Sequence, residues 1–215
     1  SSAASDHQYD HNLTSPPPEH TVESLDGVAA TAFEAARAKR DAVEMRYYDD
    51  AYASALAPKR DAPMANLQRR SPLINRGHYL RSVVVDAAVD DFLDAAGANA
   101  QVISLGAGFD TRWWRFADAK RRPDRYIELD ASAIVKLKAS AVLDQPELLR
   151  AFAMGRACAL ADGGIHSAQD GYTLLAADLR ETTQVDAALQ TAGWRPEQPT
   201  LVIAELVLVY LPPEA

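Results

Sequence analysis

The glycines and acids of this sequence carry its first chemical signal. Gly106-Ala107-Gly108 closes a short apolar run, Gln101 to Leu105. Glycine at such a turn lets backbone approach a ligand where a Cβ would clash, and a following helix start offers N–H groups to an anion. Thr111 stands where a dinucleotide fingerprint has its third glycine, so the turn alone does not predict a nicotinamide cofactor. Asp130 ends the next strand pattern, about 20 residues on, where an acid of a doubly wound fold hydrogen-bonds a ribose hydroxyl. Glu128 shares its face in a regular strand but lies deeper. The competing reading of Asp130 is a cap for the following helix; agreement between turn and acid favours the ligand. Asp178 ends a third strand pattern. Glu205 lies inside a fourth, among Val, Ile, Ala and Leu, where an acid is costly unless paired or facing a site. A structural ion pair is its alternative.

Strand ends on one edge of a parallel sheet converge on one crevice. Gly106, Asp130, Asp178 and Glu205 are therefore expected around one pocket. Three acids suit a ligand with hydroxyls, an exocyclic amine and positive charge, and they repel pyrophosphate. S-adenosylmethionine has all three features, including a sulfonium cation.

Other residue types support more than one reading. Lys39, Arg40, Arg76 and Arg81 form a solvated basic face or neutralise the methionine carboxylate of that ligand and a second, anionic substrate. Trp113 and Trp114 stack on a base or pack the core. Tyr210 reaches toward the site from the end of the fourth strand as a positioning candidate. Cys158 has no activating neighbour in the pattern and reads as structural. His78 is a candidate base or a helix-surface residue. His7, His11 and His20 have no compact ligand spacing, so no metal is expected.

The elements that must position these groups follow from pattern. Residues 1–26 are polar and Pro-rich and read as a disordered tail. Gly27 to about Leu56 is Ala-rich and helix-favouring. Lys59 to Asn75 reads as a basic loop. A helix from about Arg76 carries one apolar stripe, Val85, Ala88, Val89, Phe92, Leu93 and Ala96, and stops at Gly97. Strands are expected at Gln101–Leu105, Arg125–Asp130, Tyr172–Leu179 and within Pro199–Leu211. Helices fall at Ser132–Leu143 and Thr183–Gln190. Residues 145–171 read as helix, then loop. The alternation predicts an α/β fold with a parallel sheet and flanking helices. The chain divides into a tail (1–26), a helical lid and loop (27–82) and a Rossmann-like domain (83–215).

The formal net charge of −8 argues against binding nucleic acid by blanketing its phosphates. A single cysteine forms no internal disulfide. The absence of a signal-peptide pattern and of an apolar run near the ~20 residues of a membrane helix predicts a soluble, intracellular protein.

The blocks PLINRGHYLR, VISLGAGFDTRWWRF, YIELD, AADLR and LVIAELVLVYLPPE resemble, in order and spacing, those of the leucine carboxyl methyltransferases. The segment AKRDAVEMRYYDDAYASAL resembles the N-terminal lid region of that family. The resemblance runs from about Arg37 to the C-terminus. It implies a class I, Rossmann-like methyltransferase that uses S-adenosylmethionine. The implied reaction is methylation of the C-terminal leucine carboxylate of the type 2A protein phosphatase catalytic subunit by a cytoplasmic, monomeric enzyme. Block by block it implies cofactor contacts at Lys39, Arg81, Gly106, Asp130, Asp178, Leu179 and Glu205; Arg81 and Leu179 rest mainly on the resemblance. No acid–base residue is required, because an α-carboxyl of pKa about 3.3–3.7 is already ionised at neutral pH. The chain stops just after the fourth strand, so it is expected to be C-terminally truncated, with an exposed apolar sheet edge. The alternatives are a wybutosine-type tRNA carboxyl methyltransferase of the same family, a small-molecule O-methyltransferase and a non-catalytic fragment.

Overall fold

The computed structural model describes residues 27–57, 72–153 and 157–211. The expected tail with His7, His11 and His20, and most of the expected basic loop, lie outside the described residues. Six strands form one sheet: β1 (Gln101–Leu105), β2 (Arg125–Asp130), β3 (Cys158–Ala159), β4 (Ile165–Ser167), β5 (Tyr172–Ala176) and β6 (Thr200–Ala204). Their order is β3-β4-β5-β2-β1-β6. Strands β5, β2, β1 and β6 run parallel, with Ile103 level with Ile127 on one side and Val202 on the other. This is a mixed α/β fold with a mostly parallel central sheet and flanking helices, as in S-adenosylmethionine-dependent methyltransferases.

The helices are α1 (Gly27–Glu44), α2 (Ala53–Leu56), α3 (Pro72–Ala96), α4 (Arg112–Asp118), α5 (Ser132–Asp144), α6 (Pro146–Leu149) and α7 (Thr182–Thr191). Alternation along each strand sorts the core into two layers. Val102, Tyr126, Leu174 and Ile203 face Ala36 of α1, Val89 of α3, Trp113 and Trp114 of α4, and Ile134 of α5. Ile103, Ile127, Leu129 and Leu175 face Ala188 of α7. Among the described residues no helix is long and apolar enough to cross a membrane.

Several expected boundaries moved. The helix expected over Gly27–Leu56 breaks after Glu44, where Arg46 turns left-handed at φ 60° and Tyr47 bonds back to Ala42. The break carries Asp50 into the interior. Helix α3 starts at Pro72 rather than Arg76, since proline is tolerated in a first helical turn. Residues 145–171 hold the expected helix as the short α6, and the β3–β4 hairpin where a loop was expected. Strands of two and three residues are too short for alternation to reveal, and Gly163 (φ 89°) provides the bend. Glu205 lies just past β6 rather than inside the strand, and Asp178 two residues beyond β5.

Trp113 and Trp114 are fully buried in the core and unavailable to a ligand base. The Trp113 ring lies 4.4 Å from Phe152 and 4.7 Å from Tyr172. The Trp114 indole donates to the Leu148 carbonyl at 3.1 Å. Cys158 is exposed on the edge strand β3.

Glu128 is fully buried on β2 and paired with Lys138 of α5 at 2.6 Å, while the Tyr172 hydroxyl donates to the same carboxylate at 2.7 Å. It belongs to the core, not the pocket. The Lys138 ammonium also donates to the Asp110 carbonyl at 2.8 Å, tying α5 to the glycine turn. Burial raises the Glu128 pKa to about 6, against the opposing pull of Lys138. Lys138→Met removes the partner of a buried charge and should cost about 3–5 kcal/mol at pH 7. A carboxyl with a raised folded-state pKa destabilises progressively as pH rises through that value. The deficit of the variant should therefore shrink as pH falls from 7 toward 5, which urea unfolding at each pH measures.

Candidate functional site

A cavity of about 910 Å³ opens at the C-terminal ends of β1, β2 and β5, with α1 and α3 forming the facing wall. That is near the upper end of the range of small-molecule sites. Lys39, Arg81, Gly106, Asp130, Asp178, Leu179, Glu205 and Tyr210 all line it. His78 lines it too. Arg40 is buried on α1 and lies 3.9 Å from Glu44, and Arg76 is exposed; neither reaches the cavity.

Gly106 and Gly108 take left-handed φ angles of 61° and 53°, which suit glycine. The close approach expected at Gly106 comes from the protein itself. A Cβ there would stand 2.5 Å from a Val207 methyl. The turn amides are also committed. Gly106 and Ala107 donate to the Leu129 carbonyl at 2.8 and 3.3 Å, and Gly108 donates to Asp130 Oδ2 at 2.6 Å. A pyrophosphate site needs those N–H groups pointing outward. The turn is built to orient Asp130, and it lacks a phosphate cradle.

Asp130 Oδ1 accepts the Ala131 N–H at 2.7 Å, and its side chain does not cap α5. Each oxygen thus holds one backbone amide and retains lone-pair capacity toward the cavity. Burial raises the Asp130 pKa, with the two amides pulling the other way.

The other two acids are paired with arginine. Both Asp178 oxygens are gripped by Arg180, whose hydrogen bonds hold that carboxyl below its ordinary pKa. Glu205 Oε1 accepts Arg81 Nε at 2.5 Å, and Oε2 accepts the Arg112 guanidinium at 2.8 Å. Glu205 thus takes the ion-pair arrangement that was its alternative reading, while still lining the cavity. Only Asp130 has backbone amides alone as partners.

Glu205 belongs to a continuous ionic chain, of which Lys39, Arg81, Asp110, Arg112 and Glu205 line the cavity. Arg112 is 4% exposed and bonds Asp86 and Asp110 at 2.7 Å each. Arg115 joins Asp86 at 2.5 Å to Asp50 at 3.6 Å, and Asp50 meets Lys39 at 2.9 Å. Thr111 donates to Asp50 and accepts from Lys39, both at 2.5 Å. Tyr48 donates to Asp86 at 2.8 Å. Burial lowers the Lys39 pKa, opposed by Asp50 and Asp110.

Residues 28–215 match the family model described as leucine carboxyl methyltransferase. The chain belongs to the leucine carboxyl methyltransferase family. It is 32% identical over 190 residues to leucine carboxyl methyltransferase 1 of Bos taurus, covering 88% of this chain and 55% of the relative. It is 32% identical over 189 residues to the Arabidopsis thaliana homolog, covering 87% and 54%. It is 35% identical over 186 residues to tRNA wybutosine-synthesizing protein 4 of Homo sapiens, covering 84% and 26%. The chain thus spans about half the length of the leucine carboxyl methyltransferase 1 relatives it matches.

Within this member of the family, sequence reasoning missed Tyr48, Asp50, Asp86, Asp110, Thr111 and Arg112. A usable signal was present for three of them. Asp110-Thr111-Arg112 immediately follows the glycine turn, where side chains are forced toward the strand ends. Asp86 lies on a helix that reads as ordinary and amphipathic, and nothing in its spacing marks it.

Burial pushes the Asp110 carboxyl up, but Arg112, Lys39 and Lys138 outweigh it and hold it well below the usual range. Burial likewise raises Asp86, and the bonds and charges of Arg115 and Arg112 bring it below its ordinary value. Depressed carboxylates stabilise the fold above their unfolded pKa, about 3.9, and lose that contribution as pH falls through the folded value. Asp86→Asn should cost about 3 kcal/mol at pH 7. The gap from the parent should close below about pH 4 as the parent's own carboxylate protonates, read from denaturant midpoints across pH.

Proposed function

We propose that this chain carries the cofactor-binding part of an S-adenosylmethionine-dependent carboxyl methyltransferase. We assign it to methyl esterification of the C-terminal leucine carboxylate of the type 2A protein phosphatase catalytic subunit. The observation that carries the reading is Asp130: a cavity-facing carboxylate fixed by Gly108 and Ala131, beside a turn with no amides left for phosphate. A ribose diol can donate to such a carboxylate. Arg81 offers the remaining N–H groups of its guanidinium to a ligand carboxylate, with Nε on Glu205 and Nη2 3.1 Å from His78 Nδ1. Asp178 and Leu179 form the wall beside a base, where Asp178 can accept from an exocyclic amine. Lys39 holds the far side through Asp50 and Thr111. Helices α1 and α2 act as the lid.

When bound, S-adenosylmethionine supplies an electrophilic methyl on sulfonium sulfur. The chain's own task is positioning. It must hold the carboxylate oxygen about 3–3.5 Å from the methyl and in line with sulfur. It must also exclude water from that anion. Clamping the anion tightly would slow the step, because charge is neutralised in the transition state and only preferential binding of that state helps. Tyr210, at the rim and half exposed, is the positioning candidate on the substrate side.

The similarity to tRNA wybutosine-synthesizing protein 4 supports a second reading with the same chemistry and a tRNA carboxylate as acceptor. The net charge of −8 favours the protein acceptor. We place the protein in the cytoplasm and read it as a monomer.

Labelled methyl transfer to the phosphatase catalytic subunit, and none to tRNA or to a subunit lacking its terminal leucine, is the expected result; labelled tRNA selects the second reading. Arg81→Ala should weaken S-adenosylmethionine binding about tenfold or more by calorimetry, the scale of a lost charge-assisted hydrogen bond. Unchanged affinity would remove Arg81 from the site.

A further inference from the structure

We propose that Arg112 is a positioning residue that acts through Glu205 to keep Arg81 available to a ligand carboxylate, an assignment that rests on the methyl-donor reading above. The guanidinium of Arg112 is almost wholly buried, and each of its nitrogens meets a carboxylate from a different part of the chain. Nε meets Asp86 of α3 at 2.7 Å, one terminal nitrogen meets Asp110 of the glycine turn at 2.7 Å, and the other meets Glu205 beyond β6 at 2.8 Å.

The consequence appears at Glu205. A carboxylate beside a guanidinium tends to form two parallel bonds with it. Here Glu205 gives Arg81 only Oε1, on Nε, because Arg112 holds Oε2. Arg81 Nη1 has no partner among the described residues, and Arg81 lines the cavity. Without Arg112, Oε2 loses its anchor, Glu205 can turn, and the Oε1–Nε bond no longer aims the terminal nitrogens of Arg81 at the cavity. The chain beyond β6 supports the same geometry. Leu206 holds a left-handed φ of 55°, unusual for a residue with a side chain, and Val207 packs against Gly106. Glu205 is therefore anchored on both sides of its backbone, and Arg112 sets where its carboxylate points.

A purely structural Arg112 would loosen the whole cavity and weaken every ligand alike. The positioning role predicts selective loss. Calorimetry compares the protein and its Arg112→Lys variant against three probes. S-adenosylmethionine and S-adenosylhomocysteine carry the amino-acid carboxylate; 5′-methylthioadenosine lacks it. Lysine keeps the charge but cannot serve three carboxylates in a fixed fork. The expected result is about tenfold or greater weakening for the first two probes and unchanged binding of 5′-methylthioadenosine. Arg81→Ala combined with Arg112→Lys should bind no more weakly than Arg81→Ala alone, since both act on one contact. If circular dichroism shows Arg112→Lys unfolded, Glu205→Gln interrupts the same relay at constant shape and carries the same expectation. Equal weakening of all three probes, or additive losses in the double variant, overturns the proposal and leaves the methyl-donor reading standing. A parent protein that binds none of the three overturns both.

Discussion

A buried guanidinium surrounded by three carboxylates constrains all of them together. Arg112 ties helix α3, the glycine turn and the segment beyond β6 to one planar group with fixed bond directions. Those parts are far apart in sequence, and each supplies a wall of the cavity. An arginine there keeps its charge under every relevant condition, so the surrounding acids must stay ionised or leave a buried cation uncompensated. The depressed pKa values of Asp86 and Asp110 are the counterpart of that demand.

Extended outward, the same chain of ion pairs holds Lys39, Arg81, Arg112 and Arg115 against Asp50, Asp86, Asp110 and Glu205, four formal positive charges and four negative. Such a wall presents oriented donors and acceptors and little net field. It suits a zwitterionic end of a ligand better than a polyanion. The committed amides of Gly106, Ala107 and Gly108 point to the same ligand class, because the turn lacks the donors a pyrophosphate requires. Asp130 is distinct from the other acids here: its partners are backbone amides, and its remaining lone pairs suit hydroxyl groups.

Placement at the strand ends was legible in the primary structure because a parallel sheet carries its functional groups to one rim whatever the details of packing. Gly106, Asp130 and Asp178 were found in that way, and Glu205 nearly so. Its displacement by one position past β6 reflects the left-handed turn at Leu206, which a run of apolar residues gives no reason to expect. Trp113 and Trp114 were ambiguous because an aromatic pair after a glycine turn serves a ligand or a core equally well; packing against Phe152 and Tyr172 resolves them to the core. The β3–β4 hairpin escaped notice because two- and three-residue strands carry no periodicity.

The linear chain by itself determined the order of the four parallel strands, the acid at the tip of β2 and the family blocks, since these depend on local periodicity and on spacing along the backbone. Tertiary structure alone decided which charges meet. Partner choice among Lys39, Arg81, Arg112 and Arg115 depends on distances of a few ångströms between segments separated by up to 124 positions, and Coulomb energies and desolvation costs change steeply over that range. For the same reason Glu128 and Asp130, neighbours on one strand, end in different roles, one neutralised by Lys138 in the core and the other facing the cavity.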